Sequence, residues 1–215
     1  MNLIEETSIL EEKVEEAFID MKISRKQQQK LFDEAELLKR NFPDIYAHSL
    51  RCCLLGKDAA RYTGKFDFKI SWSEENRFPD IRFYTKAIDP KILAYTAMTH
   101  DTGLVVGKAD HHIHTYNMIR ELFPFTSLVS LNHRMGEKRY VHDGRGLDEK
   151  SIRYSEYCAS IFMVIDQFDT LTRPSSALTD EPIIVSGKHI IEILINNNKD
   201  HESLINKLYK KGVFK

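Results

Sequence analysis

The sequence predicts an all-α protein, and three observations support this prediction. Apolar residues recur every three or four positions along most of the chain, which is the period of an amphipathic helix. Prolines and glycines stand between these stretches, where helices begin and end. We find the alternation typical of strands only within residues 65–88, which we expect to form either a short hairpin or an ordered loop.

The predicted helices can be placed in order along the chain. Apolar stripes predict the first two over residues 2–18 and 27–40, and Pro43 opens a third over about 44–61. Asp89 and Pro90 predict the N-cap and first residue of a helix that runs to about Thr99. Further helices are predicted over about 110–122, 126–132, 148–172, 188–196 and 200–211, with a polar loop over 133–147.

Length and composition limit the class of protein. A chain of 215 residues can build one core, and we expect a single domain over 41–215 preceded by a helical extension over 1–40. A net charge of −1 argues against a large nucleic-acid footprint. The chain has no apolar run long enough to span a membrane, and its three cysteines make no disulfide framework. We therefore expect it in the cytoplasm. We expect Cys52 and Cys53 to pack as small hydrophobic residues.

Polar residues on apolar helix faces are the most informative feature of the sequence. His100 and Asp101 close the apolar run 92–99, His48 lies in the stripe of the third helix, and Asp166 shares a face with Phe162. Buried histidine and aspartate are costly unless they are compensated, and a divalent cation would compensate them. Mixed imidazole and carboxylate ligands suit iron, manganese or another first-row metal. Asp169 lies on the same face, where it either binds metal or caps a helix or pairs with an arginine.

The spacing of these residues resembles the HD-domain metal-dependent phosphohydrolases, and within them the HD-GYP cyclic-dinucleotide phosphodiesterases. The resemblance covers about residues 45–195 and departs from the family at three positions: Leu104 replaces a lysine, Asn132 the first of two histidines, and Leu147 the tyrosine of the GYP tripeptide. The matching segments are Tyr46–Arg51, Thr99–Gly103, the helix that begins at His111, Leu131–Arg134, His142–Gly146 and Ile165–Pro174.

The resemblance implies a site with two divalent first-row metal ions, most simply iron or manganese. His48, His100, Asp101 and Asp166 would hold one ion, and His111 and His133 the other. Asp101 would bridge the two and, with His100, form the catalytic pair beside a metal-activated hydroxide. Because His112 and His114 flank His111, the sequence leaves open which of the three is the ligand. The residues expected to bind substrate phosphates are Lys108, Arg134 and Arg173.

Three functions remain open at this point. The first is hydrolysis of a cyclic dinucleotide such as cyclic di-GMP, and the second is hydrolysis of a smaller nucleotide or phosphate ester, which the missing GYP tripeptide favours. The third is a nucleotide-binding signalling module with weak or no catalysis. In each case the expected partner is a small nucleotide rather than a membrane or a long nucleic acid. Residues 1–40 are where we expect a second copy or a regulatory partner to bind.

Overall fold

A computed structural model describes residues 2–64, 87–133, 149–172 and 187–214, with only the backbone considered at 149 and 150. These residues form nine α-helices and two short 3-10 helices, and the described ranges contain no strand, which confirms the all-α prediction. The α-helices are α1 (Leu3–Asp20), α2 (Arg25–Asn41), α3 (Pro43–Ala60), α4 (Pro90–Thr99), α5 (His111–Ile119), α6 (Pro124–Leu131), α7 (Glu149–Thr172), α8 (Gly187–Asn197) and α9 (Glu202–Lys210). The 3-10 helices are Thr102–Val105 and Lys199–His201.

Local sequence signals explain where several helices begin. The Asn2 side chain accepts a hydrogen bond from the Glu5 backbone N–H, and the Glu5 carboxylate accepts one from the Asn2 backbone N–H, so a capping box opens α1. Asp89 caps α4 by accepting from the Lys91 backbone N–H, and Pro90 follows at the first helical position, as predicted. The prediction was inaccurate for α6, which begins at Pro124 rather than at residue 126.

A single apolar core joins the helices, and α3 and α4 cross at its centre. A Cβ on Gly56 of α3 would lie 3.0 Å from the Cβ of Leu93 of α4, so the glycine permits a close approach of the two helices. Val14 and Phe18 of α1 and Leu31 of α2 belong to the same core. These contacts place the first two helices against α3, while the division of the chain at residue 40 stays a prediction.

Some predictions fall partly or wholly outside the described ranges. The expected hairpin or loop lies almost entirely within residues 65–86, and all but the first residue of the expected loop 133–147 lies within 134–148. Cys52, Cys53 and Cys158 are buried free thiols, as expected of a chain without a disulfide framework. Among the described residues, no helix is both long and apolar enough to cross a membrane.

Candidate metal centre

The fold brings six residues together from five parts of the chain. His48 comes from the middle of α3, and His100 and Asp101 directly follow α4. His111 opens α5, and Asp166 lies in α7. The sixth residue, His133, follows α6 after one further residue. Their ligand atoms form two groups, each with all its atoms within 4.8 Å of one another: His48, His100 and Asp166, and Asp101, His111 and His133.

The first group centres on a carboxylate oxygen of Asp166. Its Oδ1 lies 2.9 Å from Nε2 of His48 and 4.0 Å from Nε2 of His100. The side chains of His48 and His100 are each only 1 % exposed, whereas that of Asp166 is 27 % exposed. The group therefore has a buried imidazole side and a carboxylate side that solvent can reach.

Asp101 lies between the two groups. Its Oδ2 is 3.1 Å from Nε2 of His100, and its Oδ1 is 3.5 Å from Nε2 of His111. The Nε2 atoms of His111 and His133 are 3.3 Å apart. One carboxylate thus touches a histidine of each group with a different oxygen, which is the arrangement that a bridging ligand requires.

A common local device orients three of the four histidines. In each of them Nδ1 faces the backbone carbonyl oxygen of the residue three positions earlier, so that Nδ1–H donates a hydrogen bond and Nε2 is the acceptor whenever the ring is neutral. The three bonds run from His100 to Ala97 at 3.0 Å, from His111 to Lys108 at 3.1 Å, and from His133 to Ser130. Histidines that bind metals through one nitrogen are held in the same way through the other.

His48 is oriented by a side chain instead of a carbonyl oxygen. Its Nδ1 lies 2.7 Å from Oδ2 of Asp169, a residue that is 3 % exposed. Arg51 donates to both oxygens of the same carboxylate, from Nε at 2.8 Å and from Nη2 at 3.1 Å. The expectation that Asp169 pairs with an arginine is confirmed. Its contact with His48 was missed, and the only signal for it was the shared helix face of Asp166 and Asp169.

Cys52 lies beside the first group, and its sulfur is not a thiolate near neutral pH. Its Sγ is 3.5 Å from Nδ1 of His48, and with His48 and Asp169 it makes a third cluster of ligand atoms. Burial raises the pKa of Cys52 to about 12, so the sulfur is a neutral thiol near neutral pH. Arg51 and His48 already bond the Asp169 carboxylate, and we therefore interpret Cys52 as packing.

The charges of the site compensate one another in its metal-free form. Burial lowers the pKa of His100, but the adjacent Asp101 carboxylate outweighs this effect and raises it. Burial raises the pKa of Asp101, and the charge and hydrogen bond of His100 lower it further than burial raises it. Burial, together with the charge of His100, lowers the pKa of His133 to about 4. His133 is therefore neutral near pH 7 and has a lone pair for a cation.

The donor set could hold a metal ion. Four imidazole nitrogens and two carboxylates converge, and every imidazole has its second nitrogen hydrogen-bonded outside the cluster. The flanking histidines do not join them: neither His112, which is buried beside His111, nor His114 belongs to any of the three clusters.

The predicted substrate-binding residues are less informative. Lys108 is exposed, and its observed contribution is the carbonyl oxygen that bonds to His111. Arg134 and Arg173 lie outside the described residues. Their roles stay predictions.

Comparison with known proteins adds no relative to this picture. No family model, curated protein or solved structure matches the chain. Its function must therefore be inferred from the residues of the site and from the motifs in which they occur.

Proposed function

We propose that this chain is a metal-dependent phosphohydrolase of the HD-domain type, and that it hydrolyses a phosphodiester bond of a cyclic dinucleotide such as cyclic di-GMP. The observation that carries the proposal is the position of Asp101 between two groups of imidazole ligands, with one oxygen towards His100 and the other towards His111. A carboxylate in that position could be shared by the two metal ions of a hydrolytic site.

The assignment of ligands follows the two groups. His48, His100 and Asp166 would hold one ion and His111 and His133 the other, with Asp101 shared between them. Divalent iron or manganese bound there would supply Lewis acidity and lower the pKa of a water molecule. The protein's own part is to hold the imidazoles in one tautomer and to keep the site largely dry around His48 and His100.

The exposure of the ligands indicates the side from which a substrate would arrive. The side chains of Asp101, His111 and Asp166 are 15 %, 18 % and 27 % exposed, while His48 and His100 are closed off. A phosphate group would approach that open side. Lys108 follows Asp101 by seven residues, Arg134 follows His133 directly, and Arg173 follows the end of α7. All three are proposed to bind non-bridging phosphate oxygens.

The choice of a cyclic dinucleotide depends on the motifs. Residues 165–174 resemble the last ligand motif of the HD-GYP enzymes, and the glycine-rich segment 142–146 resembles the approach to their GYP tripeptide. The leucine at position 147, where those enzymes have tyrosine, is what makes a direct test of substrate necessary.

The test is a substrate panel on protein reconstituted with Mn²⁺ or Fe²⁺. We expect cyclic di-GMP to be hydrolysed faster than a mononucleotide phosphomonoester. Asp101→Ala should abolish this activity. Asp110→Ala is the control: it removes a nearby exposed carboxylate that makes no capping hydrogen bond, and it should retain the activity. The reverse substrate ranking would favour a nucleotide phosphatase, and metal-loaded protein inert to both would favour a binding module.

A further inference from the structure

A line of charged side chains connects the first helix to the proposed metal centre. Glu6 of α1 accepts a hydrogen bond from Nη1 of Arg51 at 2.7 Å. The same guanidinium donates to Asp169, and Asp169 accepts from Nδ1 of His48. Each member contacts the next within 3.1 Å, so the line from Glu6 to His48 is continuous.

We propose that Glu6 and Arg51 are positioning residues through which α1 sets the orientation of His48 and thereby the metal affinity of the site. The proposal rests on the proposed metal centre, and it adds a structural input that lies outside the ligands. Neither Glu6 nor Arg51 would touch the ion or the substrate. They would act only through Asp169.

The geometry explains why Arg51 needs a second partner. An arginine fork binds a carboxylate with two parallel donors, and here Nε and Nη2 are used on Asp169. Nη1 points the other way and meets Glu6. The planar guanidinium is therefore held on both sides, and losing Glu6 would leave it held by the Asp169 carboxylate alone. Asp169 is 3 % exposed, so water can replace a lost donor only poorly.

The large apolar side chains that anchor α1 in the core lie in its second half. Ile4 is 83 % exposed, whereas Val14 and Phe18 are fully buried against the core. Glu6 thus lies two turns before the buried Val14, and its pair with Arg51 links the first turns of α1 to α3. A displacement of those turns would reach His48 through two side chains.

Glu11 provides a matched control. It also joins α1 to α3, because its Oε1 accepts a hydrogen bond from the Tyr46 hydroxyl at 2.7 Å. The same oxygen forms an ion pair with Nζ of Lys39 in α2 at 2.6 Å. Tyr46 lies two residues before His48 in the same helix, yet its hydroxyl contacts Glu11 rather than a ligand. Glu11→Gln should therefore weaken the attachment of α1 without touching the line to His48.

The experiment measures Mn²⁺ affinity and stability in the whole 215-residue chain. Free Mn²⁺ is followed by electron paramagnetic resonance during titration of wild type, Glu6→Gln, Arg51→Lys, the double variant and Glu11→Gln. Arg51→Lys keeps the charge but loses the fork, and should weaken Mn²⁺ binding at the site that contains His48 about tenfold, at the low end for residues that orient a metal ligand. Glu6→Gln should weaken it about threefold, as expected for a partly exposed ion pair.

The double variant distinguishes positioning from general destabilisation. If Glu6 acts through Arg51, Glu6→Gln should have no further effect on affinity in the Arg51→Lys background. Glu11→Gln should lower the urea midpoint of the metal-free protein and leave Mn²⁺ affinity within about twofold. Equal affinity in Glu6→Gln and wild type overturns the positioning role, as does an equal loss in Glu11→Gln. Wild type that binds no metal overturns the metal centre itself, which is a separate outcome.

Discussion

The Nε2 atoms of His111 and His133 face each other at 3.3 Å, although each ring already donates a hydrogen bond through Nδ1. With the hydrogens on Nδ1, two nitrogen lone pairs point at one another, which is repulsive unless a proton or a cation lies between them. Because the pKa of His133 is lowered to about 4, that ring does not supply the proton near neutral pH. A divalent ion bound to both nitrogens would remove the repulsion.

The first prediction concerns His133→Ala. His48, His100, Asp101 and Asp166 remain in this variant, so we expect one ion to be kept while the affinity for the second falls at least tenfold. Isothermal titration with Mn²⁺ measures both the stoichiometry and the affinities. His114→Ala removes a histidine that belongs to no ligand cluster and should bind like wild type. An unchanged stoichiometry in His133→Ala would remove this residue from the ligand set.

The second prediction concerns Asp101→Ala. Because Asp101 contacts a histidine of each group, its loss should affect both ions, and most of the bound metal should be absent after purification. The variant should stay helical, since Asp101 lies outside α4 and caps no helix with its side chain. Elemental analysis gives the metal content and far-ultraviolet circular dichroism the helicity. Retention of two ions by the variant would contradict a bridging role.

Features of this protein that depend on local sequence were predictable, and those that depend on tertiary contacts were not. The cap at Asp89 was predictable from the Asp-Pro pair, and four of the six candidate ligands stand out as polar residues on apolar helix faces. His111 and His133 were indicated only by the family resemblance. The hydrogen bond between His48 and Asp169 joins residues 121 positions apart. Helix periodicity could indicate at most the helix face on which each of them lies. The contact of Glu6 with Arg51 follows from how α1 lies on α3, which no spacing in the sequence encodes.

The third prediction is that metal binding releases protons. Burial lowers the pKa of His48, but its hydrogen bonds to Asp166 and Asp169 outweigh this effect and raise the pKa well above its ordinary value, and Asp101 raises the pKa of His100. Raised pKa values mean that the metal-free rings hold protons above pH 6.5, the ordinary value for histidine. Since a metal binds only the deprotonated nitrogen, affinity should fall as the pH is lowered and rise as the pH increases above that value.

Titration calorimetry in buffers of different ionisation enthalpy measures this release directly. We expect about one to two protons to be released per protein at pH 7, since His48 and His100 have raised pKa values and each must lose its proton to bind a metal ion. The apparent association constant should then increase by about tenfold to a hundredfold per pH unit. A binding enthalpy that is the same in all buffers would contradict the prediction.

The last prediction concerns the glycine that follows His100 and Asp101 in the chain. A Cβ on Gly103 would lie 2.0 Å from the His111 carbonyl oxygen and 2.5 Å from the Thr115 backbone nitrogen. Both are backbone atoms of α5, so a side chain at this position would push away the helix that carries His111. The Gly103 N–H also donates to the Thr115 hydroxyl at 2.9 Å, which in turn donates to the His100 carbonyl oxygen at 2.8 Å.

Gly103→Ala should therefore lower the free energy of unfolding by about 3 kcal/mol, at the upper end for overpacking of a core, and should weaken the second metal site with it. Urea unfolding of the metal-free protein measures the first effect and Mn²⁺ titration the second. Gly107→Ala is the matched control, because its Cβ would meet only the end of the His114 side chain at 3.4 Å. That control should change stability by less than about 1 kcal/mol. Equal stabilities of the two variants would mean that α5 does not need the close approach at Gly103 to hold His111 beside Asp101.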